Sequence, residues 1–250
     1  MTEITQEGWK NKALSMLLAQ LTSYVLFIAA TVIPSPGTVP IIPLIIAALT
    51  LAAFVVFWPF RGSILDRIVT LVFGAISLIF VIVPFPTSEV PPDQTAADGS
   101  VLPWYSWALA MGLLLVVLVV FSFGRQMARE NRTHLIRSLS HSVVEGVAMI
   151  ASAGWCFLPV LLPTTHSRAA AMSAASGATV DMFSNVTMTW VVAAIVTVLV
   201  AVALTVCSSF GHRDADPEPD ARSPWIGLAL LPVMLTGLAV GLAALAIVVL

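Results

Sequence analysis

The chain has 250 residues, of which 59% are apolar and only 10% are charged, and its net charge is −2 at pH 7. Soluble domains carry about 25% charged residues, because a chain that folds in water needs a polar exterior. The composition therefore excludes an ordinary soluble domain and favours the lipid bilayer as the solvent. The charge balance also gives no basic surface for nucleic acid.

Hydropathy predicts seven helical spans in one integral membrane domain that covers residues 1–250. A bilayer core about 30 Å thick needs roughly 20 apolar residues per helix, and backbone groups inside it must pair within the helix. Membrane barrels instead show alternating segments of about 10 residues, whereas these apolar runs are continuous. The predicted fold class is all-α, a polytopic transmembrane bundle. The predicted spans are residues 13–33, 39–58, 68–85, 103–123, 143–162, 186–208 and 225–249.

The first span follows a polar stretch and has no signal-peptide cleavage site, so we expect it to be retained. Its polar residues Gln20, Ser23 and Thr31 lie roughly on one helical face. Such residues usually form hydrogen bonds to neighbouring helices. The alternative is a face that lines a substrate path, with Gln20 as a candidate ligand-binding residue.

The segment between the fourth and fifth spans, residues 125–142, is rich in arginine. We interpret it first as a topological anchor, because short cytoplasmic loops are enriched in Lys and Arg. Arginines beside a membrane also attract anionic lipid headgroups, at about 1 kcal/mol each. The candidate headgroup ligands are Arg125, Arg129, Arg132 and Arg137.

One helical face runs through this segment and into the fifth span. Glu130, His134, Arg137, His141 and Glu145 are spaced by three or four residues, which places them on one side of a helix. We therefore expect the fifth span to begin early, as an amphipathic helix at the inner surface. His134, His141 and Glu145 alone cannot share a metal ion, because they extend over about 16 Å of helix.

Glu145 stands slightly inside the boundary of the fifth predicted span. Ionisable groups in spans are costly and often functional, so His141 and Glu145 are candidate ligand-binding residues. Ser152, further along the fifth span, could line the same cavity. The alternative is that Glu145 reaches water or pairs with His141, one turn earlier.

The second half of the chain carries packing signals. Cys156 and Cys207 are predicted to lie at opposite depths, which is unfavourable for a disulfide. Residues 211–224 alternate Asp, Glu and Pro, and we predict a disordered cytoplasmic linker there. Gly237 and Gly241 form a GxxxG motif, which permits close helix approach within or between subunits.

The orientation follows from the distribution of positive charge. Ten of the 11 Lys and Arg residues fall on one side of the seven-span topology, and only Arg168 falls on the other. The positive-inside rule then places the N-terminus in the cytoplasm and the C-terminus outside. Tryptophans fall at both predicted interfaces, with Trp58 at the inner one and Trp107 at the outer one. We expect a multi-pass protein of a bacterial-type cytoplasmic membrane.

Catalytic signatures are missing from the sequence, which has no HExxH, Walker or GxSxG motif. We therefore predict no catalytic residue, no metal and no cofactor. The leading hypothesis is a non-catalytic accessory or scaffold subunit that contacts lipid and a membrane-protein partner or a second copy of itself. Two alternatives stay open: a permease for an apolar or lipid-like ligand, and an intramembrane enzyme that modifies lipid with His141 and Glu145.

Overall fold

The computed structural model describes residues 3–33, 41–60, 64–83, 103–127, 135–161, 185–211 and 223–249. Within these ranges the regular structure is entirely helical, which confirms the predicted all-α class for this part of the chain. The helices are α1 (Glu3–Val32), α2 (Ile41–Val56), α3 (Ile64–Ile82), α4 (Pro103–Met127), α5 (Leu135–Ala151), a 3-10 segment (Ser152–Phe157), α6 (Leu158–Leu161), α7 (Asn185–Gly211) and α8 (Pro224–Val249).

Four of these helices are long and apolar enough to cross a membrane. Their membrane-length stretches are Ala13–Thr31 in α1, Tyr105–Arg125 in α4, Val191–Ser208 in α7 and Pro224–Ala246 in α8. Two shorter apolar stretches follow the same pattern, Ile41–Val56 and Arg67–Ile82. The predicted linker, residues 211–224, lies mostly outside the described residues, which resume at Ser223.

The fifth predicted span is an α-helix, a 3-10 segment and a short α-helix in series. Its helix begins at Leu135, eight residues before the predicted span, as the spacing of the polar face predicts. The 3-10 segment ends just before Pro159, which has no N–H for the carbonyl of Trp155 one α-turn earlier. The N–H of Leu158 bonds that carbonyl instead, in the tighter 3-10 pattern.

Helix α8 and the 3-10 segment form the centre of the bundle, and every residue of the segment is buried. Their backbones touch at glycines: a Cβ on Gly154 would overlap the carbonyl of Gly237, and one on Gly237 would overlap the carbonyl of Ala151. A Cβ on Gly241 would meet the ring of Trp107. The GxxxG motif therefore packs within the chain.

Tryptophan side chains connect the central helices to their neighbours. Trp155 Nε1 donates to the carbonyl of Val233 at 2.8 Å, and its ring stacks on Phe27 with centroids 4.6 Å apart. Trp107 Nε1 donates to the hydroxyl of Ser77 at 3.1 Å. The indole of Trp107 is fully buried against α3 and α8, so it faces the interior of the bundle. Hydropathy places a residue along a span but does not give the direction of its side chain.

Candidate functional site

A small cavity with both polar and apolar walls lies at one end of the bundle, where α3 and α5 begin and α4 ends. Its volume is about 10 Å³, and it is lined by Val69 and Thr70 of α3, Leu118, Phe121, Ser122 and Arg125 of α4, and Ser142 of α5. A volume of this order holds about one water molecule or one oxygen atom of a ligand. The cavity thus combines three hydroxyl groups with one guanidinium group.

The hydroxyl groups differ in their hydrogen bonds. Thr70 is 3% exposed and donates its proton to the carbonyl of Arg67 at 3.2 Å. Ser122 is 6% exposed, and no hydrogen bond from its hydroxyl to any residue that the structure describes is found. Arg125, half-buried in the last turn of α4, brings the positive charge. The cavity can therefore donate hydrogen bonds to an acceptor atom of a ligand.

A second face of α5 carries His141 and Glu145. The imidazole of His141 lies against Phe60, with ring centroids 4.7 Å apart. Glu145 is only 3% exposed, so water does not surround it as one sequence alternative assumed. One turn further along, Met149 packs in the apolar cluster that contains Phe54 and Trp58 of α2 and its extension.

The guanidinium of Arg67 lies 5.4 Å above the ring of Trp58, a cation–π contact. Trp58, predicted at the inner interface, is buried under this cation. The region where α5 meets the end of α2 therefore contains the His141–Phe60 contact and the Arg67–Trp58 contact.

Gln20 occupies a third environment, between α1 and α7. Its Nε2 donates to the hydroxyl of Ser208 at 2.9 Å, and Ser208 donates to the carbonyl of Thr205 at 2.8 Å. The side chain is 2% exposed, and its Oε1 has no hydrogen-bond partner among the described residues. The helix-to-helix hydrogen bond expected for Gln20 is present.

The predicted ligand-binding residues therefore do not share one cavity. Gln20 bonds to α7, His141 contacts Phe60, and Ser152 turns its hydroxyl to the carbonyl of Met149 at 2.8 Å. Only His141 and Glu145 are neighbours, one turn apart on α5. The physical reason is that hydropathy predicts how deep a residue lies in the membrane. It does not predict which helices pack against each other.

Two of the four predicted headgroup ligands lie in helices that the structure describes. Arg125 lines the cavity. Arg137 lies in α5, and its side chain is outside the described set, while Arg129 and Arg132 lie outside the described residues. No group of three or more His, Cys, Asp or Glu residues placed to hold a metal ion occurs in the described part of the chain. Cys156 and Cys207 are both free thiols.

Sequence reasoning missed Thr70, Ser122 and Ser142 as cavity residues. A signal was available, because Ser122 precedes Arg125 by three residues and Thr70 follows Arg67 by three. Residues three apart lie on one helical face, so each hydroxyl is next to a cation near the end of an apolar run. The pairing of α3 with α4 and α5 was not available from the sequence.

No family model, no curated protein and no solved structure matches this chain. The fold and the site therefore define a class of protein and not a family. In its described residues, the class is a helical, membrane-embedded protein with a central glycine crossing and a small cationic cavity at one end.

Proposed function

We propose that the chain is a non-catalytic, multi-pass protein of a bacterial-type cytoplasmic membrane that serves as an accessory or scaffold subunit of a membrane complex. In this proposal it crosses the membrane seven times, with the N-terminus in the cytoplasm and the C-terminus outside. The observation that carries the proposal is the filled centre of the bundle. Gly154 and Gly237 meet there backbone to backbone, among residues that are all buried.

A filled centre supports a scaffold more than a permease. Alternating access needs two packings of the elements around a substrate site, and backbone contacts without side chains between them permit little rearrangement. The residues that the permease hypothesis uses, Gln20, Glu145 and Ser152, also have separate neighbours. Gln20 bonds to Ser208, and Ser152 bonds to its own helix.

The lipid-modifying alternative uses His141 and Glu145 as base and orienter, and Arg132 or Arg137 for the phosphate. Such a base needs to lie within hydrogen-bond distance of its substrate. Glu145 is 3% exposed and the ring of His141 packs on Phe60, which supports a structural role for both residues. Glu145→Gln separates the three hypotheses, because it keeps the shape of the side chain and removes its charge.

The main test is purification of the tagged full chain from native membranes in a mild detergent. We expect a companion membrane protein in constant ratio to the chain, and the same companion with the Glu145→Gln variant. A chain that elutes alone as a monomer, from membranes that were cross-linked beforehand, would contradict the proposal. A Glu145→Gln variant that inserts normally but loses uptake of a lipid-like substrate would instead favour the permease.

The proposed orientation has its own test. A protease-sensitive tag placed after Leu250 should be cut in intact cells whose outer membrane has been removed, and a tag placed before Met1 should be cut only after lysis. The reverse pattern would show that the positive residues face outward. This experiment tests only the topology, whereas the purification tests the accessory role.

A further inference from the structure

The cavity at the end of α4 differs in chemistry from the apolar surface around it. Of its seven lining residues, Thr70, Ser122, Arg125 and Ser142 are polar. Two of these hydroxyl-bearing residues, Thr70 and Ser122, are more than nine-tenths buried. Burial of polar side chains at an apolar helix end costs free energy unless they find partners. Each buried hydroxyl group at this cavity is therefore stable only with a hydrogen-bond partner.

Ser122 is the residue in the cavity whose hydroxyl lacks a partner among the described residues. Other buried hydroxyls behave differently: those of Ser77, Ser152 and Thr236 each donate to a main-chain carbonyl at 2.8 Å. A serine in a helix can usually satisfy its proton in this way. Ser122 instead lines the cavity, where an acceptor atom of a ligand would satisfy its hydroxyl.

The charge of the cavity favours an anion. The guanidinium of Arg125 has five N–H donors in a planar fork that matches phosphate oxygens, so it can serve a ligand and another partner together. Thr70 has committed its proton to Arg67, so it shapes the cavity and does not donate. Ser122 and Arg125, three residues apart on α4, are the donors on one face.

Helix α5 contributes one residue to this cavity and contacts the segment after α2 with another. Ser142 lines the cavity, and a Cβ on Gly146, one turn later, would meet Leu118, which also lines it. His141 instead contacts Phe60 of the chain that follows α2. Glu145 lies one turn after His141 and three residues after Ser142. The residue of α5 that lines the cavity, Ser142, is thus distinct from the one that contacts Phe60.

We propose that this cavity is a binding site for a phosphate group, which inserts one oxygen between α3, α4 and α5. Ser122 donates a hydrogen bond to that oxygen, and Arg125 binds the remaining oxygens at the mouth of the cavity. The group is either the phosphate of a lipid headgroup or free phosphate. The inference rests on the proposed function only for the membrane side from which a lipid would arrive.

Lipid titration of the purified full chain in a non-ionic detergent tests the proposal. The probes are phosphatidylglycerol, phosphatidylcholine and inorganic phosphate, and the readouts are the apparent Kd from thermal stabilisation and bound lipid counted by native mass spectrometry. Ser122→Ala and Arg125→Gln should each weaken phosphate-group binding about tenfold, because a hydrogen bond to a charged group is lost. Ser140→Ala, an exposed serine on α5, is the matched control and should change the Kd less than about twofold.

The outcomes separate the two sources of phosphate. If Ser122→Ala weakens phosphatidylglycerol and inorganic phosphate alike, the site takes a phosphate group from either source. If it weakens only the lipids, the site is a headgroup site. If Ser122→Ala and Arg125→Gln both match Ser140→Ala for every probe, the proposal is overturned. The unliganded melting temperature of each variant shows that it is folded.

The result is also distinct from the test of the accessory role. Loss of the companion protein while Ser122→Ala still weakens lipid binding would overturn the accessory role alone. A companion that persists while no probe distinguishes Ser122→Ala from Ser140→Ala would overturn the phosphate site alone.

Discussion

Helices α7 and α8 are both long and strongly apolar, yet they occupy opposite positions in the fold. In the membrane-length stretch of α8, 56% of the residues are buried, whereas in that of α7 only 6% are. Helix α8 contacts the 3-10 segment, α1, α5 and α7, whereas α7 packs mainly on α8. Hydrophobicity therefore decides that both helices enter lipid, but it does not decide which one lies in the centre.

The difference lies in residue size. Lipid tails are as apolar as the side chains, so helices in a bilayer associate by close packing and hydrogen bonding. Helix α8 has Gly227, Gly237 and Gly241 at close contacts with neighbouring segments of the chain. Helix α7 instead exposes branched side chains such as Val198 and Leu199, at 61% and 62%. Small residues let the backbones of two helices approach closely, whereas the branched side chains of α7 keep neighbouring backbones apart and are left exposed.

The largest effect is expected from a side chain at the central crossing. Gly237→Leu should abolish folding, and Gly237→Ala should cost about 3 kcal/mol or more, because its Cβ would overlap the rigid carbonyl of Ala151. The matched control is Gly112→Ala in α4, where a Cβ meets nothing within 4 Å. Unfolding in a denaturing detergent measures both. Equal stability of the two alanine variants would show that the crossing is not close-packed.

A matched pair of valines sharpens the comparison of α7 with α8. Val233→Ala in α8 should cost about 2 kcal/mol, because Val233 is 0% exposed and its methyl groups leave a cavity. Val198→Ala in α7 should cost less than about 0.5 kcal/mol, since lipid replaces the lost contacts. Both free energies come from the same unfolding titration. Equal costs would mean that α7 is covered by protein in the purified sample.

A hydrogen bond to α8 provides the next effect. Trp155→Phe removes the donor to the carbonyl of Val233 and keeps a ring against Phe27. We expect a loss of about 1 kcal/mol in the free energy of unfolding. Trp225→Phe, half-buried at the start of α8, is the control and should change stability little. If Trp155→Phe leaves the free energy of unfolding unchanged, this hydrogen bond does not stabilise the centre of the bundle.

The smallest effect is expected where α1 meets α8. The hydroxyl of Tyr24 lies 3.0 Å from Thr236 Oγ1, whose own proton is directed to the carbonyl of Pro232. Tyr24→Phe should therefore cost about 0.6 kcal/mol, the average of measured bonds between membrane helices. Thr22→Val, which removes a bond within α1 only, should cost less. Hydrogen exchange of the α1 amides offers a second measurement, and faster exchange in Tyr24→Phe alone is the expected pattern.

Sequence patterns predicted the helices well and the contacts only in part. The early start of α5 followed from polar residues three and four apart, and the GxxxG motif predicted a close helix contact. The direction of Trp107 and the separation of Gln20 from Glu145 could not be predicted, because both depend on helix rotation. The cavity at Ser122 was missed for the same reason: its walls come from three helices that are distant in sequence.

By itself, the sequence determined the solvent and the secondary structure, since long apolar runs with few charges favour helices in lipid whatever their arrangement. The tertiary structure decided which helix is central, which tryptophans are buried and where a hydroxyl meets a cation. The physical reason is that lipid and protein interiors are equally apolar. Hydropathy therefore cannot predict whether an apolar side chain contacts lipid or another helix. Packing of small residues and the direction of a few hydrogen bonds make that choice, and both are properties of pairs of helices.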